Sequence, residues 1–171
     1  DLFDVKAKLD ADENTVRLEK IAKLAITDVH GGMNREEGNQ YVPEWVDELP
    51  GLGGSERAAS AFINTQRRLV FRTLIDKLAK RHETKGGGMH TISNSELRML
   101  GNVVNVPSGR GDIGHYLNGV EAASLFFFSP RWWASRIMFI VGEPLWHEAK
   151  WRGGEGVSSD ALKIAAAEWG K

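Results

Sequence analysis

Ser55 to Arg81 reads SERAASAFINTQRRLVFRTLIDKLAKR, and this stretch decides the fold. Ser55 is placed to N-cap a helix beginning at Glu56. Ala58, Ala59, Phe62, Ile63, Leu69, Val70, Leu74, Ile75 and Leu78 recur with helical spacing and form a broad apolar face. The other face carries Arg57, Arg67, Arg68, Arg72, Lys77, Lys80 and Arg81 against only Glu56 and Asp76. No part of the chain sustains the period-two alternation of a half-buried strand. The expectation is an all-α fold, an irregular bundle of about seven or eight helices without a substantial sheet. Its helices then bury their apolar stripes on one another.

Upstream, Leu18, Ile21, Leu24 and Ala25 predict a helix from Asn14 towards His30-Gly31-Gly32, which stops it. Residues 1–13 are charged and weakly patterned. Pro43 opens a short helix, Glu44 to Leu49, and Pro50-Gly51-Leu52-Gly53-Gly54 is a flexible break. The chain therefore divides into an N-terminal helical segment and linker, 1–50, and a helical domain, 51–171. Downstream, Ser93 with Glu96 three residues later is a capping box that starts a helix through Val104. Pro107 to Asp112 is a turn, followed by a helix from about His115 to Phe127. Ser129-Pro130 opens another helix to about Val141, Pro144 to Trp151 is a short one, and Ser158 or Ser159 caps the last.

The 171 residues suffice for one ordinary core. The net charge of −1 gives the whole chain no attraction to nucleic acid or anionic membrane. The absence of cysteine excludes disulfides, thiolate metal sites and a cysteine nucleophile. The five histidines, His30, His82, His90, His115 and His147, show no metal-ligand spacing, so no metal or other cofactor is expected. No apolar run reaches the roughly 18 residues of a spanning helix. The chain opens at Asp1 and stops inside a helix, which reads as a piece cut from a longer protein.

Three features could carry function. The basic face of 56–81, with Arg67, Arg68 and Arg72, could contact phosphates. It could equally be a solvated face paired with acids such as Glu44, Asp47 and Glu48. Gly109-Arg110-Gly111 lacks the flanking strand and Gly-Lys-Ser/Thr of a phosphate loop. Its glycines instead suit a tight corner at positive φ, with Arg110 pinning helix-end carbonyls. Phe126, Phe127, Phe128, Trp132 and Trp133 lie within eight residues, beside Arg131 and Arg136. Successive helical side chains diverge by about 100°, so these rings cannot all enter one small core. Core, inter-subunit or inter-domain contact, and a membrane surface are the open alternatives. An enzyme reading would require a pocket holding a histidine with a carboxylate in hydrogen-bond reach.

Three motifs in order carry a resemblance. They are Ser55-Glu56-Arg57-Ala58 with Phe62-Ile63-Asn64 and Arg67; Asn102 through Gly111; and Phe127-Phe128-Ser129-Pro130-Arg131 with Ala134-Ser135-Arg136. Over about residues 52–170 the chain resembles the large polyvalent protein-associated domains of bacteriophage and mobile-element proteins. Ser108 stands where that family more commonly has Thr, keeping the hydroxyl. The first 50 residues match less well, and nothing is carried over to them. The resemblance implies a non-catalytic module of a virion-associated protein, packaged or ejected with the DNA. Its partners would be other virion proteins or other domains of the parent chain, with oligomerisation in the virion. The implied locations are the virion and then the host cytoplasm or envelope.

Overall fold

The computed structural model describes residues 2–26, 52–110, 130–145 and 156–170. Among them the elements are α1 (Leu2–Ala11), α2 (Glu13–Ile21), α3 (Leu52–Glu83), a 3₁₀ turn (Met89–Thr91), α4 (Asn94–Asn105), α5 (Pro130–Val141) and α6 (Ser159–Trp169). No strand occurs among the described residues, and the all-α expectation holds. The expected helices at 44–49 and 115–127 and most of 144–151 lie outside the described residues, while the helix expected from Asn14 to a stop at 30–32 ends earlier, at Ile21, where the chain reverses through Lys23 at positive φ.

The caps follow the sequence closely. The Ser93 hydroxyl accepts from Glu96 N–H, and Glu96 Oε2 accepts from Ser93 N–H at 2.8 Å. Ser158 caps α6 by accepting from Ala161 N–H. Two other expectations change. Residues 2–11, read as unpatterned, form α1, because Asp12 breaks the chain there and caps α2 through Thr15 N–H. α3 begins at Leu52 rather than Glu56. Gly53 and Gly54 lower helix propensity but do not forbid helical dihedrals, and a long packed helix extends through them.

Three helix ends reverse in the same way. Beyond α3, Gly87 N–H bonds His82 C=O and Gly86 N–H bonds Glu83 C=O, with Gly86 at φ 82°. Beyond α4, Arg110 N–H bonds Asn105 C=O and Gly109 N–H bonds Val106 C=O, with Gly109 at φ 82°. Both are Schellman closures that use glycine where a Cβ is disfavoured. The end of α2 makes the same pair of bonds, from Leu24 to Glu19 and from Lys23 to Lys20, but with Lys23 at φ 52°. A side chain in the left-handed region costs about 1 kcal/mol, so neighbouring contacts must hold Lys23 there.

The core lies where α3, α4 and α6 meet. Phe71, Leu74, Ile75 and Leu78 of α3 pack with Leu97, Met99, Leu100, Val103 and Val104 of α4 and with Ala161, Ile164 and Ala165 of α6. Ala22 and Leu24 belong to the same cluster. The N-terminal segment therefore shares one core with the helices after residue 51. Gly101 lets the end of α2 reach α4, since a Cβ there would sit 2.4 Å from the Ala22 carbonyl oxygen.

Two predictions come from this packing. Gly101→Ala lowers stability by about 1–2 kcal/mol in urea titrations, because a backbone carbonyl cannot give way and the clash outweighs the helix-propensity gain. Acid also destabilises the fold. Asp12 is held below its ordinary pKa chiefly by hydrogen bonds from Thr15, and Asp160 chiefly by the Lys85 ammonium. Depressed carboxylate values give stability that is full above the unfolded pKa, near 3.9, and lost as pH falls through the folded values. Thermal melts by circular dichroism then show a steep drop below about pH 4, and Asp12→Asn with Asp160→Asn flattens it.

Candidate functional site

The buried line of α3 matches the apolar face read from the sequence only in its second half, at Leu74, Ile75 and Leu78. Ser60, Asn64, Arg67, Phe71, Leu74 and Leu78 recur at steps of four and three, and all are buried. Phe62, Leu69 and Val70 face out. The first half of this line is polar, and it meets the N-terminal helices and the α4 corner.

Arg67 is only 6% exposed. Its Nη1 donates to Ala25 C=O at 2.9 Å, its Nε to Ser108 Oγ at 2.9 Å and its Nη2 to Ser108 C=O at 3.2 Å. Ser108 Oγ in turn donates to Asn105 C=O at 2.8 Å. The Asn105 amide completes the knot. Its Oδ1 accepts from Ala25 N–H at 2.9 Å and its Nδ2 donates to Lys23 C=O at 3.0 Å. Asn105 thus pairs with the backbone of 23–25 as a neighbouring strand would, and these bonds hold Lys23 in its left-handed turn. Arg68, also 6% exposed, grips the other side. It donates to Glu19 Oε1 at 2.7 Å, to Asp10 and to Leu9 C=O at 3.0 Å. Burial disfavours its charge, but the bonds to Glu19 and Asp10 outweigh burial and hold its pKa above the ordinary value.

This corrects the proposed phosphate-contacting face. Arg67 and Arg68 are buried and bonded within the chain, to partners in 9–25 and at 108; Glu44, Asp47 and Glu48 lie outside the described residues. Arg72 is half-exposed and pairs with Asp12 at 3.2 Å, and Lys77 pairs with Glu168 at 3.4 Å. The corner reading of the glycine turn holds for Gly109, while Gly111 lies outside the described residues. Arg110 is half-buried at that corner, and its backbone N–H closes the turn.

The aromatic–arginine segment is described in part. Phe126, Phe127 and Phe128 lie outside the described residues, as do the side chains of Arg131, Trp132 and Trp133, whose backbones form the first turn of α5. From Ala134 onward α5 is apolar on both sides. Its inner side seats Met138 and Ala134 against Val106 and Trp169, and the Phe139 and Trp169 rings lie 4.7 Å apart at 30°. Its outer side presents Ile137, Ile140 and Val141, exposed by 60%, 83% and 57%, beside exposed Arg136. A groove of about 480 Å³ runs between α3, α4, α5 and α6, lined chiefly by Phe62, Ile63, Val70, Val104, Phe139 and Trp169. It has the apolar lining of a recognition groove.

The enzyme alternative meets a different geometry at His82. Its Nδ1 is 2.8 Å from Thr91 Oγ1, and its Nε2 is 3.8 Å from Glu96 Oε1. The second distance exceeds a hydrogen bond. Both neighbours are already engaged: Thr91 Oγ1 donates to Gly88 C=O at 2.6 Å, and Glu96 accepts from the Ser93 and Ser158 N–H groups. The cluster ties the starts of α4 and α6 to the end of α3. Among the described residues no group of acids and histidines has the geometry to hold a metal ion.

A double-mutant cycle tests the knot. Arg67→Ala lowers stability by about 3 kcal/mol, because it strands buried acceptors at Ala25 and Ser108. Asn105→Ala lowers it by about 2 kcal/mol. The two couple by roughly 1 kcal/mol in urea unfolding, since both hold Ala25.

Compared with known proteins, the chain matches no family model, no curated protein and no solved structure.

Proposed function

We propose that this chain is a non-catalytic helical interaction module of a bacteriophage virion-associated protein, acting through protein contacts in assembly or DNA delivery. One observation carries the interaction reading: among the described residues α5 is apolar on both sides but packs only its Met138 side. Large aliphatic groups such as Ile140 at 83% exposure are ordinary when scattered. Three at i, i+3, i+4 spacing beside an apolar groove mark a contact surface. The phage setting rests on the sequence resemblance, whose motif residues Arg67, Asn105, Ser108 and Gly109 converge in one corner. That convergence gives the motif an architectural role, as a module without its own chemistry requires.

The test is the composition of purified particles. Mass spectrometry of DNA-filled particles from the encoding phage detects this chain, and Phe62→Asp in the groove lowers its copy number several-fold without changing its melting temperature. Absence from particles overturns the virion reading. A duplex-binding titration separates the nucleic-acid alternative: with Arg67 and Arg68 buried, affinity for DNA stays weak at low salt. A log–log salt slope of several units, abolished by Arg72→Ala, would favour DNA binding instead.

A further inference from the structure

We propose that His82 is a proton-operated latch. On protonation its ring gains a bond to Glu96, and the end of α3 is then tied more firmly to the starts of α4 and α6. The neutral ring faces more acceptors than there are hydrogens to meet them. Gly88 C=O lies 2.6 Å from Thr91 Oγ1, Thr91 Oγ1 lies 2.8 Å from His82 Nδ1, and Glu96 Oε1 lies 3.8 Å from His82 Nε2. The Thr91 hydroxyl supplies one hydrogen and a neutral imidazole supplies one, so two hydrogens face three acceptors. With the hydroxyl donating to Gly88, the neutral ring presents its Nδ1 hydrogen to Thr91 and turns the Nε2 lone pair towards a carboxylate. The imidazolium carries a hydrogen on both nitrogens and meets all three acceptors at once. The 3.8 Å separation belongs to the open form. It is longer than a charge-assisted bond by about 1 Å, a gap that a small movement of the ring closes.

Burial gives this bond its weight. Glu96 is 2% exposed, and its oxygens otherwise accept only from the Ser93 and Ser158 N–H groups among the described residues. His82 is the ion-pair partner the structure gives it there. Of the other charges at this hollow, Lys85 and Asp160 line it with His82 and pair with each other. Arg81 is exposed and donates to Asp160 C=O at 3.4 Å. A proton on His82 is therefore answered by the Glu96 carboxylate, in surroundings that screen the pair weakly. The effect reaches the far end of α6. That helix starts at the Ser158 bond to Glu96 and ends at Trp169, which lies against Phe139 and lines the apolar groove. Protonating one histidine thus firms the groove proposed above as a contact surface, while the latch itself stands without that proposal.

Urea unfolding of the full chain at pH 8 and pH 5.5 tests the latch, alongside His82→Gln, which keeps a polar side chain but cannot titrate. The sign follows from the added bond: stability rises as the proton binds and is lost as pH rises through the histidine range, about 5 to 8. The folding constant of the wild-type chain gains about fivefold more than that of His82→Gln on going from pH 8 to pH 5.5. The comparison cancels His30, His90, His115 and His147, which both chains share. Nitrogen-15 NMR of the wild-type chain gives a second readout, in which the His82 ring and the Gly88 and Ser158 amides shift with one common midpoint. Equal gains for the two chains overturn the proposal, even if His82→Gln is less stable throughout, since that result describes a purely structural histidine. A Ser158 amide that does not move with the His82 ring overturns it too, and this titration decides alone if His82→Gln fails to fold.

Discussion

A guanidinium buried at Arg67 is the constraint on which the rest depends. Removing such a charge from water costs several kcal/mol unless its donors are met. The fold meets them with the carbonyl that leaves α2 and with the hydroxyl and carbonyl of the α4 corner. Each acceptor belongs to a segment distant in sequence. Satisfying one side chain therefore brings together the end of α2, the middle of α3 and the end of α4. The close approach of Ala22 to Gly101 follows from the same meeting, and so does the left-handed Lys23. With that corner closed, Val106 is positioned to receive Met138, and α5 takes its place.

Much of this architecture was legible in the sequence. Helical class, the Ser93–Glu96 box, the Ser158 cap and positive φ at Gly109 all follow from local chemistry that tertiary contacts leave alone. The inside of α3 was harder to read. Apolar residues occur around much of its circumference, so hydrophobicity alone selects Phe62, Leu69 and Val70, which face out, and passes over Phe71, which is buried. The signal that identifies the interior is strict spacing: the four-three rhythm of the core residues Phe71, Leu74 and Leu78 continues backwards to Arg67, Asn64 and Ser60. Counting Arg67 and Arg68 as surface charges also hid their role. Their partners, Leu9, Asp10, Glu19, Ala25 and Ser108, are remote in sequence, and three of the acceptors are backbone carbonyls that no composition reveals.

The exposed apolar side of α5, the contact surface proposed above, was legible in outline only. Crowded aromatics beside arginines pointed to the segment that becomes α5. The exposed ridge, however, is the aliphatic set Ile137, Ile140 and Val141, which follows those aromatics in sequence. Periodicity cannot tell which side of a doubly apolar helix meets its own core. That choice is made by Val106 and Trp169, whose placement depends on the corner and on α6.

Arg67 and Arg68 are adjacent in sequence, and their side chains leave α3 about 100° apart. One is tied to the α2 exit and the α4 corner, the other to α1 and α2. A single peptide unit is therefore the point at which α3 is anchored against both rotation about its axis and sliding along it. A one-residue slip would misalign both guanidinium groups at once. Mechanically, α3 is a keyed shaft: torque or tension reaching the N-terminal helices passes to the α4 corner through this anchor, with little play between them.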